Sequence, residues 1–151
     1  MKVSRQVNVS PISREPFYSS ITIIIVLPLL VFLFNVLLVL LFGIRTLHEN
    51  RIDNIVHGLG GVSVCFSSAG VLWQLMSREI ITLQDENLFR FIVFGFLCFV
   101  VIGWEILEYI ILYPLDFLTY TDTISDMACG LIGGLFAMLF FRRPVLGKNF
   151  S

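Results

Sequence analysis

Three short stretches of this chain place acidic or imidazole side chains at helical spacing. Asp53 and His57 in "DNIVH" are four residues apart, Glu105 and Glu108 in "WEILE" three apart, and Asp122 and Asp126 in "DTISD" four apart. On a helix each pair shares one face, separated by about one turn or roughly 5.4 Å along the axis. Carboxylates joined by an imidazole suit a divalent cation, Zn, Mn or Fe ahead of Mg or Ca, since the latter two favour all-oxygen sets. The same groups could also do acid–base work.

The elements that must carry these pairs are membrane helices. Of the 151 residues 57% are hydrophobic and 14% charged, with a mean hydropathy of +0.91, which is more apolar side chain than a soluble domain of this size can hide. Four segments, about 20–44, 55–76, 89–113 and 123–141, reach the roughly 20 apolar residues that a span requires. The first is too long for a signal-peptide core of about 7 to 15 residues and lacks a small-x-small cleavage site, so it is expected to be a mature helix kinked at Pro28. The expected fold is all-α: one membrane domain over 1–151, with four transmembrane helices in a bundle joined by short loops. Cys65, Cys98 and Cys129 lie in apolar runs without CxxC spacing and read as packing residues.

Charge sets the orientation. With four spans, both tails share a side with the middle loop, and that side carries Lys2, Arg5, Arg14, Arg78, Arg90, Arg142, Arg143 and Lys148, against Arg45 and Arg51 opposite. Both termini are therefore expected in the cytoplasm. The three polar pairs then fall in one layer at the non-cytoplasmic side, at the start of the second helix, the end of the third and the start of the fourth. Behind Asp122 and Asp126 the row of every fourth residue continues to Gly130 and Gly134; behind Asp53 and His57 it continues to Gly61 and Cys65. Small residues behind acids are what an inward-facing, closely packed interface requires. The row behind Glu105 runs through Val101 toward Cys98 and is less telling.

An acid inside a bilayer costs about 2.5 to 3.5 kcal/mol at the centre and persists where it meets a partner. Five carboxylates cannot all stay anionic side by side in a poorly solvated site, so either several carry protons or a cation sits among them. The nearest basic residue is Arg51. A divalent metal held by Asp53, His57, Glu105, Glu108 and Asp126, with Asp122 as ligand or proton acceptor, satisfies the set. Simpler roles are weighed beside this one. Asp53, and Asp122 or Thr121, suit helix N-caps, and Trp104, Tyr109, Tyr113 and Tyr120 suit an interfacial aromatic belt. Asn35 suits an interhelical hydrogen bond and Asp116 a solvated loop. The chain has no G-x-S-x-G elbow, no phosphate-cradling glycine pattern and no basic, aromatic-interleaved surface, so covalent catalysis and nucleic-acid binding are not expected.

The ordered set Asp-x-x-x-His-x-x-Gly-Gly at 53–61, Trp-Glu-x-x-Glu at 104–108 and Asp-Thr-x-x-Asp at 122–126, followed by Gly130, Gly133 and Gly134, resembles the YjdF-type, VanZ-like small integral membrane proteins. The resemblance covers the second to fourth helices, about two thirds of the chain. It implies a multi-pass inner-membrane protein with Asp53, His57, Glu105, Glu108, Asp122 and Asp126 as its shared polar set. Asn54 stands where VanZ has lysine, and glycopeptide resistance is not carried across. Residues and resemblance together lead to an expectation of a metal-dependent membrane enzyme or envelope-stress factor working on a lipid-linked or amphiphilic substrate. The alternatives are a cation or proton transport component, and a structural protein using the acids as polar glue, either one open to homo-oligomers.

Overall fold

The computed structural model describes residues 20–83, 85–112 and 120–140. Its elements are α1 (Ile21–Phe42), α2 (Ile44–Glu49), α3 (Ile52–Ser77), α4 (Glu86–Leu112) and α5 (Tyr120–Leu139), with no strand among the described residues. Four of the five are long and apolar enough to cross a membrane. The expected four-span, all-α bundle is therefore the observed fold, and the chain is a multi-pass membrane protein. Tyr113, Asp116 and the tail residues Lys2, Arg5, Arg14, Arg142, Arg143 and Lys148 lie outside the described residues.

The outer surface explains the composition. Phe91, Phe99, Ile110, Ile132 and Leu139 point outward from α4 and α5, and α1 buries no residue at all. A helix that is apolar all round belongs against lipid. α1 runs unbroken past Pro28 to Phe42 and stops at Gly43, whose φ of 78° is open to glycine at little cost. The chain reverses again at Arg51, held in the left-handed region at φ 57°, a conformation that costs a non-glycine residue about 1 to 2 kcal/mol. Between these two turns the six-residue α2 is folded back over the end of the bundle, burying Leu47 and His48.

α3 is the central element and packs against every other helix. Its closest neighbour is α5, and the approach is set by glycine. A Cβ at Gly61 would overlap the carbonyl of Gly130, and one at Gly133 would overlap the carbonyl of Gly58, so the two backbones touch where ordinary side chains would hold them apart. Gly134 in turn admits the side chain of Leu97 from α4. The buried row of α4 is Phe89, Val93, Leu97, Val101 and Glu105, each four residues from the next. It thus passes through Leu97 and not Cys98, which is only half-buried, because the knob that fills the α5 glycine notch must be large. At the far end from α2, Cys65, Ala69, Leu72, Trp73, Phe89, Val93 and Ala137 form an apolar core.

Helix boundaries displace two of the simpler readings. α3 begins at Ile52 with Arg51 as its cap residue, so Asp53 lies inside the first turn, and α5 begins at Tyr120, which puts Thr121 and Asp122 inside its first turn as well. Their side chains are then free to face the bundle.

Gly133→Ala is expected to destabilise the protein by about 1 to 3 kcal/mol through overpacking of backbone on backbone. Gly95→Ala, where an added Cβ meets nothing within 4 Å, should be neutral or mildly stabilising. Thermal unfolding in detergent compares the two; equal effects would refute the glycine contact as the determinant of α3–α5 packing.

Candidate metal centre

The polar side chains converge at the end of the bundle that α2 covers. His57 on α3 reaches across to α4, with Nδ1 3.3 Å from Glu105 Oε1 and Nε2 3.7 Å from Glu108 Oε2. The same Nε2 lies 3.6 Å from Asp53 Oδ1, one turn earlier on its own helix. Asp126 on α5 is 3% exposed, and its Oδ1 is buried without a hydrogen-bond partner among the described residues. The row that buries it continues through Gly130 and Gly134, as the spacing predicts. All six side chains anticipated from spacing, those of Asp53, His57, Glu105, Glu108, Asp122 and Asp126, are thus gathered in one place.

A seventh was not anticipated. His48, on α2, places Nδ1 2.9 Å from Asp53 Oδ2 and 3.0 Å from Asp122 Oδ2, with Nε2 4.0 Å from Glu108 Oε1. Both histidines of the chain therefore stand in the cluster. A six-residue helix between two spans carries too little periodicity to be seen in hydropathy. The available signal was rarity: the only other histidine sits five residues before Asp53.

The opposing charges are arranged unevenly. Asp53 and Asp122 lie in the first turns of α3 and α5, where the positive ends of the helix dipoles favour anions. Glu105 and Glu108 approach the C-terminus of α4, where the dipole disfavours them and a cation is needed more. Arg51 does not supply it: its Nη1 donates to Ser125 Oγ at 3.4 Å, and Asn54 Nδ2 donates to the same oxygen. These two bonds tie the mouth of α3 to α5. Among the described residues, the ion pairs of the cluster involve the histidines alone.

Three sets of residues could hold an ion: His48, Asp53 and Asp126; Asp53, His57 and Glu108; and His57, Glu105 and Asp126. Within each, one ligand atom per residue lies within 4.8 Å of the others. The buried, unpartnered oxygen of Asp126 fits such a group, since a carboxylate atom shut away from water needs a proton or a cation. Fold and site together define a polytopic helical membrane protein with a buried carboxylate–imidazole centre. Comparison with protein-family models, curated proteins and solved structures returned no match.

His48 lies outside the spans and holds its proton unusually tightly. Its hydrogen bond to Asp53 raises its pKa from 6.5 to about 9, against the opposing effect of burial and with help from the charges of Asp53, Asp122 and Glu108. Because the folded value is the higher one, the gain in stability is complete below about pH 6.5 and disappears as the pH rises through about 9. Metal-free protein is accordingly expected to lose thermal stability between pH 7 and 10, and His48→Gln to flatten that slope. An unchanged slope in the variant would show that the titrating group is elsewhere.

Proposed function

We propose that this protein is a metal-dependent membrane enzyme acting on a lipid-linked or amphiphilic substrate, in a cell (inner) membrane with both termini in the cytoplasm. The observation that carries the reading is that His57 belongs to two structures at once. It is part of the carboxylate–imidazole cluster, and it also lines a cavity of about 260 Å³ between α1, α3 and α4.

The cavity wall is almost wholly apolar. α1 contributes Pro28, Val31, Phe32 and Asn35, which share one helical face, while Val56 and Val64 of α3 and Val101 and Trp104 of α4 form the opposite side. α1 packs on α3 yet makes almost no contact with α4, which leaves the slot open toward the surrounding lipid. An acyl or prenyl chain lying in it would bring its head group to the layer of His57. Asn35, expected to bond a neighbouring helix, instead faces this cavity with its Oδ1 buried and without a hydrogen-bond partner among the described residues. It offers an acceptor to a polar group on the chain that enters.

In this reading Asp53, His57, Glu105, Glu108 and Asp126 hold the ion and His48 joins them. A bound divalent cation supplies Lewis acidity or an activated water at neutral pH. Asp122, less deeply buried than Asp126 and 3.0 Å from His48, serves as a further ligand or as a proton acceptor. Trp104, one turn before Glu108 on α4, lines the cavity beside His57, a place beyond that of a belt residue. Of the serines below the layer, Ser63 donates to the Gly60 carbonyl and Ser68 to that of Val64, whereas Ser67 Oγ is buried without a partner among the described residues. The transport alternative is weakened by the apolar core beneath the site, which offers an ion no polar path through one chain.

Purified protein should carry a divalent metal, and His57→Ala and Asp126→Asn should each retain less of it than wild type, as measured by elemental analysis. Val64→Trp, which fills the slot, should keep the metal while co-purified lipid falls several-fold by mass spectrometry. Metal-free wild type that ignores added divalent ions would end the metal reading; unchanged lipid in Val64→Trp would end the lipid one. Cysteines placed at the two termini of an otherwise cysteine-free chain should resist an impermeant thiol reagent in intact cells, and labelling of either would reverse the proposed orientation.

A further inference from the structure

We propose that the centre takes a pair of divalent cations, bridged by Asp53 and Asp126, with His48 on one ion and His57 on the other. The inference rests on the metal reading above and extends it from one ion to two.

The first ground is the way the candidate ligand sets overlap. No set contains both histidines, whereas Asp53 and Asp126 each occur with His48 in one set and with His57 in another. Asp53 shows how such sharing works atom by atom. Its Oδ2 is 2.9 Å from His48 Nδ1 while its Oδ1 is 3.6 Å from His57 Nε2, so the two oxygens of one carboxylate face two different imidazoles. A carboxylate placed in this way bridges two ions more naturally than it chelates one. Asp126, 3% exposed and with Oδ1 buried and unpartnered, is the second bridge. Of the remaining acids, Asp122 lies against His48 and Glu105 against His57, while Glu108 approaches both, with Oε1 4.0 Å from His48 Nε2 and Oε2 3.7 Å from His57 Nε2.

Charge gives the second ground. The cluster holds five carboxylates, and no lysine or arginine is ion-paired within it among the described residues. With neutral imidazoles, one divalent ion leaves three of the five negative charges uncompensated (5 − 2 = 3), and a second leaves one (5 − 4 = 1). In a poorly solvated site that difference favours the second ion strongly. Two histidines with four or more carboxylates from the facing helices of a bundle is also a donor set that general coordination chemistry associates with paired ions, separated by about 3.5 to 4 Å.

The test uses full-length protein in detergent, stripped with chelator and reloaded with Mn²⁺ alone. Elemental analysis after desalting should find about two ions per chain, falling to about one in His48→Gln and to about one in His57→Gln. Electron paramagnetic resonance of the loaded wild type should show exchange-coupled Mn²⁺ that becomes uncoupled in either variant. Circular dichroism and size-exclusion profiles matching wild type keep a misfolded variant from being read as a lost ion. One ion per chain in the wild type overturns the pair while leaving the metal reading intact. Two uncoupled ions overturn the bridging. No bound ion overturns both.

Discussion

Contact between the backbones of α3 and α5 is the constraint on which the remaining structure depends. Gly58 and Gly61 on one helix meet Gly130 and Gly133 on the other, and no residue with a Cβ fits at Gly61 or Gly133 without displacing main chain. Three of the five acids, Asp53, Asp122 and Asp126, are carried on these same two helices, one and two turns above the contact. Helices held apart by ordinary side chains would leave Asp53 and His57 farther from Asp126 than shared coordination allows. The close approach also explains why α4 meets the pair with Val101 and Leu97: the notch over Gly130 and Gly134 must be filled from the third side. Packing energy from the small-residue interface is thus what holds a set of like charges together.

The covering element follows from the same geometry. With α3 and α5 so close, the carboxylates at their N-terminal ends crowd into one spot, and α2 closes it by bringing in His48. The fold tolerates an unfavourable backbone angle at Arg51 to achieve this turn. Strain of that kind persists where the surrounding contacts outweigh it, and the His48 pairs with Asp53 and Asp122 are contacts of that sort.

Much of this was legible in the residues, and what was not has physical causes. The spans could be read to within about three residues because hydropathy over some 20 positions averages out local noise. The inward faces of α3 and α5 could be read because acid and glycine recur at the same helical period, which ties a polar end to a packed row. α4 was harder: its buried row is large and apolar like its lipid-facing side, so nothing in its composition distinguishes Leu97 from Cys98. α2 is too short to register, and His48 went unseen with it. The cavity was invisible for another reason. α1 is uniformly apolar, no pattern marks the face that meets α3, and the slot exists only because α1 and α4 stand apart. Asn35, the one polar residue midway along α1, points into that slot and not at a helix.

The apolar core below the centre has an electrical consequence. Trp73, Phe89, Leu72 and their neighbours fill the bundle between the polar layer and the opposite face with apolar side chains. A potential across a membrane falls mainly where the dielectric constant is lowest, and in this molecule that is the plugged half. An ion reaching the carboxylates from the α2 side crosses only a small fraction of the voltage drop, against the roughly 2.3 kcal/mol per charge and 100 mV that full passage involves. Under the metal reading proposed above, occupancy of the centre would answer to ion concentration on one side of the bilayer and be nearly indifferent to membrane voltage.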